Sequence, residues 1–103
     1  MIDGVITNAM RPVHPGEVLR EEFLVPLEMS ANALSIRLRV PAPRVNDLVR
    51  EKRGVSVDTA LRLARFFNNT PEFWLNLQTA YDLKIAKAQR ASEIEQDIRP
   101  LAA

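Results

Sequence analysis

The segment from residue 29 to residue 55, MSANALSIRLRVPAPRVNDLVREKRGV, restricts the fold of this chain more than any other stretch. Ser30 is a good N-cap for a helix that ends by Val40, because the residue before a proline avoids the helical region. A second helix starts near Ala42 and Pro43, since proline is tolerated in the first helical turn. The segment therefore predicts two short helices joined by a tight turn, a pattern typical of a DNA-reading helix-turn-helix.

The same segment holds the cationic excess of the chain. Residues 30 to 56 carry six basic and two acidic side chains, a net charge of +4, whereas residues 1 to 29 carry −3 and residues 57 to 103 are neutral. The overall charge of +1 thus conceals a polarised molecule. A basic face is often only a solvated surface, but the coincidence of charge and motif favours contact with DNA.

Length and composition indicate one small domain without catalytic chemistry. A chain of 103 residues with 47% hydrophobic content supports a single core. It contains no run of about 18 apolar residues and no secretory signal, so we expect a cytoplasmic protein that does not enter a membrane. It has no cysteine, three glycines and one histidine, His14, which we interpret as a residue at the start of a helix. We therefore predict neither enzyme activity, nor a metal, nor a cofactor.

Cap and turn residues divide the chain into five helices, and no segment alternates with the period of a strand. The first helix is expected to open at Pro15 and to break at Pro26, and Ser56 is expected to cap the fourth. A small residue, Ser35, lies where the two helices of the motif would cross. The turn position that usually holds glycine is Arg39, which either is strained in the left-handed geometry or relaxes the turn.

Three stretches carry a resemblance to a known family: MRPVHPGEVLREEF at residues 10 to 23, KRGVSVDTALRLARFF at 52 to 67, and TPEFWLNLQTAYDLKIA at 70 to 86. The last two are highly specific in combination. Over roughly residues 7 to 87 the chain resembles the HigA-type antitoxins, also known as virulence-associated protein I, within the Xre class of helix-turn-helix repressors. The resemblance implies an all-α, five-helix, lambda-repressor-like helix-turn-helix DNA-binding domain.

The resemblance also implies a function and partners. Such a protein would be a sequence-specific DNA-binding antitoxin of a type II toxin-antitoxin system, which neutralises a RelE-like mRNA-cleaving toxin and represses its own operon. Its partners would be double-stranded operator DNA, the toxin and a second copy of itself. Two alternatives stay open: a protein-interaction adaptor with a degenerate helix-turn-helix that does not bind DNA, and a solitary repressor without a toxin.

Carried over by position, the family's base-reading positions fall on Ala42, Pro43, Arg44, Asn46 and Asp47, and those near phosphates on Arg50, Lys52 and Arg53. Arg44 suits a bidentate contact with guanine, and Asn46 suits adenine. Family members usually have Asn-Gly where this chain has Arg50-Glu51, so a different loop after the third helix is expected. Arg39, Pro43 and Asp47 are the departures that favour the adaptor alternative.

On the fifth helix, one apolar stripe is wider than a small bundle requires. Phe73 and Ala80 extend it sideways, and its central residues are Trp74, Leu77, Tyr81 and Ile85. We predict that these four form a homodimer interface, with core packing as the alternative. The expected organisation is an N-terminal arm over 1–14, a helix-turn-helix domain with its C-terminal helix over 15–87, and a tail or frayed helix over 88–103.

Overall fold

The computed structural model describes residues 11 to 102 and confirms the all-α prediction, since that range contains five helices and no strand. The helices are α1 (15–27), α2 (Ala31–Leu38), α3 (Ala42–Val49), α4 (Val57–Phe67) and α5 (Pro71–Asp97). None of these five is both long and apolar enough to cross a membrane. The part of the predicted arm formed by residues 1 to 10 lies outside the described residues.

Helix α1 is continuous but has a wider turn in its middle. An α-helical start (Pro15–Val18) leads into a π-helical segment (Leu19–Leu24) and a last α-helical turn (Val25–Leu27). Pro26 lies within that last turn and the helix ends at Leu27, so the prediction that the helix breaks at Pro26 was wrong by one residue. In a regular α-helix a proline ring clashes with the carbonyl four residues earlier, and the wider turn before Pro26 accommodates it.

Hydroxyl caps start three of the other helices. The side-chain oxygens of Ser30, Ser56 and Thr70 each accept a hydrogen bond from the backbone N–H three residues later, at 3.0 to 3.2 Å. Each cap satisfies one N–H group that the helix itself leaves without a partner. The helix starts predicted at Ser30 and Ser56 are therefore confirmed.

The turn between α2 and α3 adopts the geometry that usually requires glycine. Arg39 has φ 62° and ψ 45°, in the left-handed region, and its N–H closes the C-terminus of α2 on the carbonyls of Ser35 and Ile36. Glu51, after α3, has φ 63°. The chain thus keeps the tight turns of the motif at the cost of two strained non-glycine residues.

The core forms where α1, α2, α3 and α4 meet the first half of α5. Its fully buried members include Leu19, Leu34, Leu48, Leu63 and Trp74. Beyond Ile85 the side chains of α5 are exposed, except for half-buried Ala91, although the helix itself continues to Asp97. Residues 88 to 97 therefore continue the same helix as residues 71 to 87.

Candidate nucleic-acid interface

Helix α3 turns one side to the core and the other to solvent. Val45 and Leu48 are buried, at 1% exposure each. None of the eight predicted DNA-contacting residues is buried: Ala42, Pro43, Arg50, Lys52 and Arg53 are exposed, and Arg44, Asn46 and Asp47 are half-buried. The structure thus brings these side chains together on the outer face of α3 and the loop that follows it, with a preponderance of positive charge.

Helix α1 fixes the C-terminal end of α3. A Cβ added to Gly16 would overlap the carbonyl oxygen of Leu48, so the two backbones touch at this point. Arg20 donates a hydrogen bond to the carbonyl of Val49 and lies 3.3 Å from the carboxylate of Glu51. These contacts hold the C-terminal end of α3 against α1.

The loop after α3 is held against α5. The N–H of Val55 donates to Oε1 of Gln78 at 2.7 Å, and a Cβ added to Gly54 would lie 2.7 Å from the same oxygen. The N–H of Lys52 donates to the carbonyl of Asp47 at 2.8 Å. The loop that carries Lys52 and Arg53 is therefore ordered by Gln78, a residue that no sequence motif singled out.

Asn46 does not offer both of its polar atoms to a base. Its Nδ2 donates to Oδ1 of Asn32 at 2.8 Å and to the carbonyl of Ala42 at 3.0 Å, which uses both amide hydrogens. Its Oδ1 remains to accept from an exocyclic amino group, whereas bidentate pairing with adenine needs an N–H donor as well. The expected adenine contact would therefore require Asn46 to leave Asn32.

Arg44 belongs to an ion-pair network with α4. Its Nη1 lies 2.5 Å from Oδ2 of Asp58, and Nε of Arg62 donates to the same oxygen at 2.9 Å. Arg62 also donates through Nη1 to the carbonyl of Leu38 at 2.8 Å. Hydrogen bonds from Arg62 and Arg44 hold the pKa of Asp58 below its ordinary value. Asp58 and Arg62 are not part of the predicted site, because their contact with α3 depends on tertiary packing.

A second cationic surface lies beside the motif, in a groove between α2 and α4. Arg37, Arg62 and Arg65 line it together with Leu61 and Phe66. The guanidinium of Arg37 lies 5.0 Å from the centre of the Phe66 ring, a distance suited to a cation–π contact. Arg62 and Arg65 extend the cationic surface beyond residues 30 to 56, where the sequence placed it.

The stripe predicted as a dimer interface faces the core at its N-terminal end. Trp74 is completely buried, its indole N–H donates to Oδ1 of Asn69 at 2.9 Å, and its ring lies 5.1 Å from Phe23. The assignment of Trp74 to an interface was therefore wrong, because α1 and the turn before α5 already cover it. Leu77, Tyr81 and Ile85 are half-buried.

His14 accounts for part of the burial of Tyr81. It caps α1 by accepting a hydrogen bond from the N–H of Gly16 on its Nδ1 at 2.8 Å, and its ring packs edge-on against Tyr81 at 4.8 Å. Burial lowers the pKa of His14, and the nearby carboxylates of Glu51 and Asp82 offset this only in part. Among residues 11 to 102, no three His, Cys, Asp or Glu side chains approach one another in a way that would hold a metal.

Comparison with known proteins gives several strong matches, although no family model matches the chain. Virulence-associated protein I of Dichelobacter nodosus is 53% identical over 85 residues, which cover 82% of this chain and 79% of the relative. The structure of Pseudomonas aeruginosa antitoxin HigA with the higBA promoter has a TM-score of 0.87 at 51% identity, covering 89% of this chain and 100% of that one. The structure of antitoxin GraA in complex with its operator has a TM-score of 0.86 at 53% identity, covering 91% of this chain and 95% of that one.

Proposed function

This chain belongs to the family of HigA-type antitoxins and virulence-associated protein I, helix-turn-helix regulators of the Xre class, and we propose that it binds the operator of its own operon. The observation that supports the proposal most is the exposed face of α3, with Arg44, Arg50, Lys52 and Arg53 on one side of an ordered helix-turn-helix. HigA and GraA have a closely similar fold, and both were solved with promoter or operator DNA.

In the proposed complex α3 enters the major groove with its N-terminal turn foremost, as recognition helices do. Arg44 pairs with a guanine, and Ala42 and Pro43 make apolar contacts such as those with thymine methyl groups. Asn46 and Asp47 accept hydrogen bonds from exocyclic amino groups of cytosine or adenine. Arg50, Lys52 and Arg53 contact phosphates, which supply affinity but little sequence preference.

We further infer that the protein neutralises a RelE-like mRNA-cleaving toxin and represses the operon that encodes both proteins. Membership in a family whose relatives are named antitoxins supports this inference. Binding to operator DNA agrees with the expected cytoplasmic location. The solitary-repressor alternative differs in one respect only, which is the absence of a toxin.

A homodimer is also part of the proposal, with its interface moved from the predicted stripe to the second half of α5. Exposed apolar residues continue there, with Leu83 at 51% and Ile94 at 43% exposure, and small alanines lie between them. Exposed basic residues come first on this half and acidic residues second: Lys87 and Arg90, then Glu93, Glu95 and Asp97. Antiparallel pairing therefore sets opposite charges together, whereas parallel pairing sets like charges together.

The proposal is tested first by titrating the protein with DNA from immediately upstream of its reading frame and with a scrambled sequence of equal length. We expect the upstream DNA to bind at least about 1,000-fold more tightly, the lower end of specific recognition. Equal affinities would contradict operator binding and favour the adaptor alternative. Co-expression with the neighbouring reading frame then tests the antitoxin role, because a toxin should arrest growth alone and form a complex with this protein.

A further inference from the structure

Asp58 connects the recognition helix to two other elements of the fold. Its Oδ2 receives hydrogen bonds from Arg44 on α3 at 2.5 Å and from Arg62 on α4 at 2.9 Å. Arg62 is tied in turn to the last residue of α2, because its Nη1 donates to the carbonyl of Leu38 at 2.8 Å. The carboxylate that holds Arg44 is therefore itself fixed from a second side.

The pairing leaves Arg44 able to contact a base. Only Nη1 of Arg44 is engaged, and no acceptor within residues 11 to 102 contacts its Nε or Nη2. These two N–H groups lie on one edge of the planar guanidinium, and two parallel donors are what a guanine requires for bidentate contact. The Arg44 side chain is 30% exposed, so it is held by the protein yet reachable from solvent.

We propose that Asp58 and Arg62 are positioning residues that orient Arg44 for base contact and so set the sequence preference of the protein; this inference rests on the proposed operator binding. An unrestrained arginine loses much rotamer freedom when it binds a base, which weakens the contact. Here that freedom is lost during folding instead. The second hydrogen-bond donor, Arg62, keeps the carboxylate from turning towards other cations.

The carboxylate of Asp58 also opposes DNA binding through its negative charge, and this second effect makes the inference testable. Asp58 is exposed and lies beside the proposed DNA-binding face, where its negative charge repels phosphates at every sequence. Removal of the charge therefore raises affinity for unrelated DNA. Loss of positioning lowers affinity for the operator relative to unrelated DNA. A change in Asp58 should thus move non-specific affinity and discrimination in opposite directions.

The test is the Asp58→Asn variant, measured by fluorescence anisotropy on operator DNA and on scrambled DNA. Asparagine keeps the size of the side chain but removes the negative charge that attracts the two guanidinium groups. We expect affinity for scrambled DNA to rise, while the ratio of operator to scrambled affinity falls about tenfold. In an Arg44→Ala background, Asp58→Asn should not lower the ratio further, because both changes remove the same contact.

Glu22→Gln serves as the control, since it removes one negative charge from an exposed residue of α1 that lies outside the ion pairs of Arg44. It should leave discrimination unchanged. The inference is overturned if Asp58→Asn leaves the ratio unchanged, whether or not its thermal stability falls, or if it lowers the ratio equally in the Arg44→Ala background. A wild-type protein that binds operator and scrambled DNA alike would instead refute the proposed function itself, and the inference with it.

Discussion

Gly16 of α1 touches the carbonyl oxygen of Leu48 near the end of α3, with no room for a Cβ between the two backbones. Leu48 lies four residues, about one helical turn, after Arg44. His14, two residues earlier, fixes the start of α1 through its hydrogen bond to the N–H of Gly16. Thus the N-terminal helix, which carries none of the proposed DNA contacts, determines where α3 lies relative to the core.

We predict that Gly16→Ala lowers the free energy of unfolding by about 1 to 3 kcal/mol, because an added methyl group must displace backbone rather than a flexible side chain. Urea denaturation followed by circular dichroism measures the change. Gly54→Ala is the matched control, since its Cβ would meet only the end of the Gln78 side chain. Equal losses in the two variants would contradict the close contact at Gly16.

Acid should destabilise the protein through His14. Burial lowers the pKa of this residue in the folded state from its ordinary value of 6.5. The unfolded chain therefore binds a proton more readily, so the stability contributed by neutral His14 is complete above pH 6.5 and is lost as the pH falls towards the folded pKa. Protonation also removes the acceptor that caps α1.

The measurement is the melting temperature of the wild type and of His14→Asn between pH 7.5 and 5. Asparagine caps helices without titrating in this range, so the variant should melt lower at neutral pH yet lose less stability on acidification. The carboxylates with lowered pKa, Glu17 and Asp58, titrate below this window. Parallel curves for the two proteins would show that His14 does not carry the effect.

Replacement of the strained turn residue should stabilise the fold. Arg39 has φ 62°, a conformation that costs a residue with a Cβ about 1 to 2 kcal/mol and glycine almost nothing. Arg39→Gly should therefore raise the free energy of unfolding by up to about 1 kcal/mol, after the greater entropy of glycine in the unfolded chain is counted. Arg37→Gly, within α2, should lower it by about 1 kcal/mol. Destabilisation by both changes would argue against strain at Arg39.

Local signals made much of the fold predictable. Ser30 and Ser56 mark helix starts because a cap acts within three residues, and the turn at Arg39 follows from the spacing of the two helices around it. The π-helical turn before Pro26 was not predictable, because the position of that proline is compatible with either a break or a widened turn. The packing of α1 against the core favours the widened turn over the break.

The candidate site was less predictable than the fold, for a physical reason. Helical periodicity shows that Trp74 and Tyr81 share a face, but it does not show that Phe23 and His14 cover them. Likewise, residue type identifies Arg44 as a base reader, whereas its bond to Asp58 joins residues that are 14 positions apart and meet only after α3 packs on α4. Which side chains can contact DNA or a second copy of the chain depends on the packing between helices, which periodicity does not show.

Lys52 should behave as a phosphate contact. Lys52→Ala is expected to weaken binding to operator and scrambled DNA by the same factor, because phosphates carry no base identity. It should also reduce the magnitude of the slope of log affinity against log salt concentration by about 0.9, since one counterion fewer is released. Arg44→Ala, by comparison, should cost about 1 to 3 kcal/mol on the operator alone. A change in discrimination on replacement of Lys52 would mean that it contacts a base.

The second half of α5 should hold the dimer together. We expect Ile94→Asp to convert a wild-type dimer into a folded monomer in sedimentation velocity, because dimerisation would then bury a charged carboxylate in the apolar contact. Leu61→Asp is the control, since Leu61 is similarly exposed, at 54%, but lies on α4 away from this surface. Tyr81→Asp should instead unfold the protein, because Tyr81 packs against His14. The monomer should also lose affinity for an operator whose two half-sites are about 10 base pairs, or a multiple of that, apart. If the Ile94→Asp protein remained a dimer, the interface would lie elsewhere.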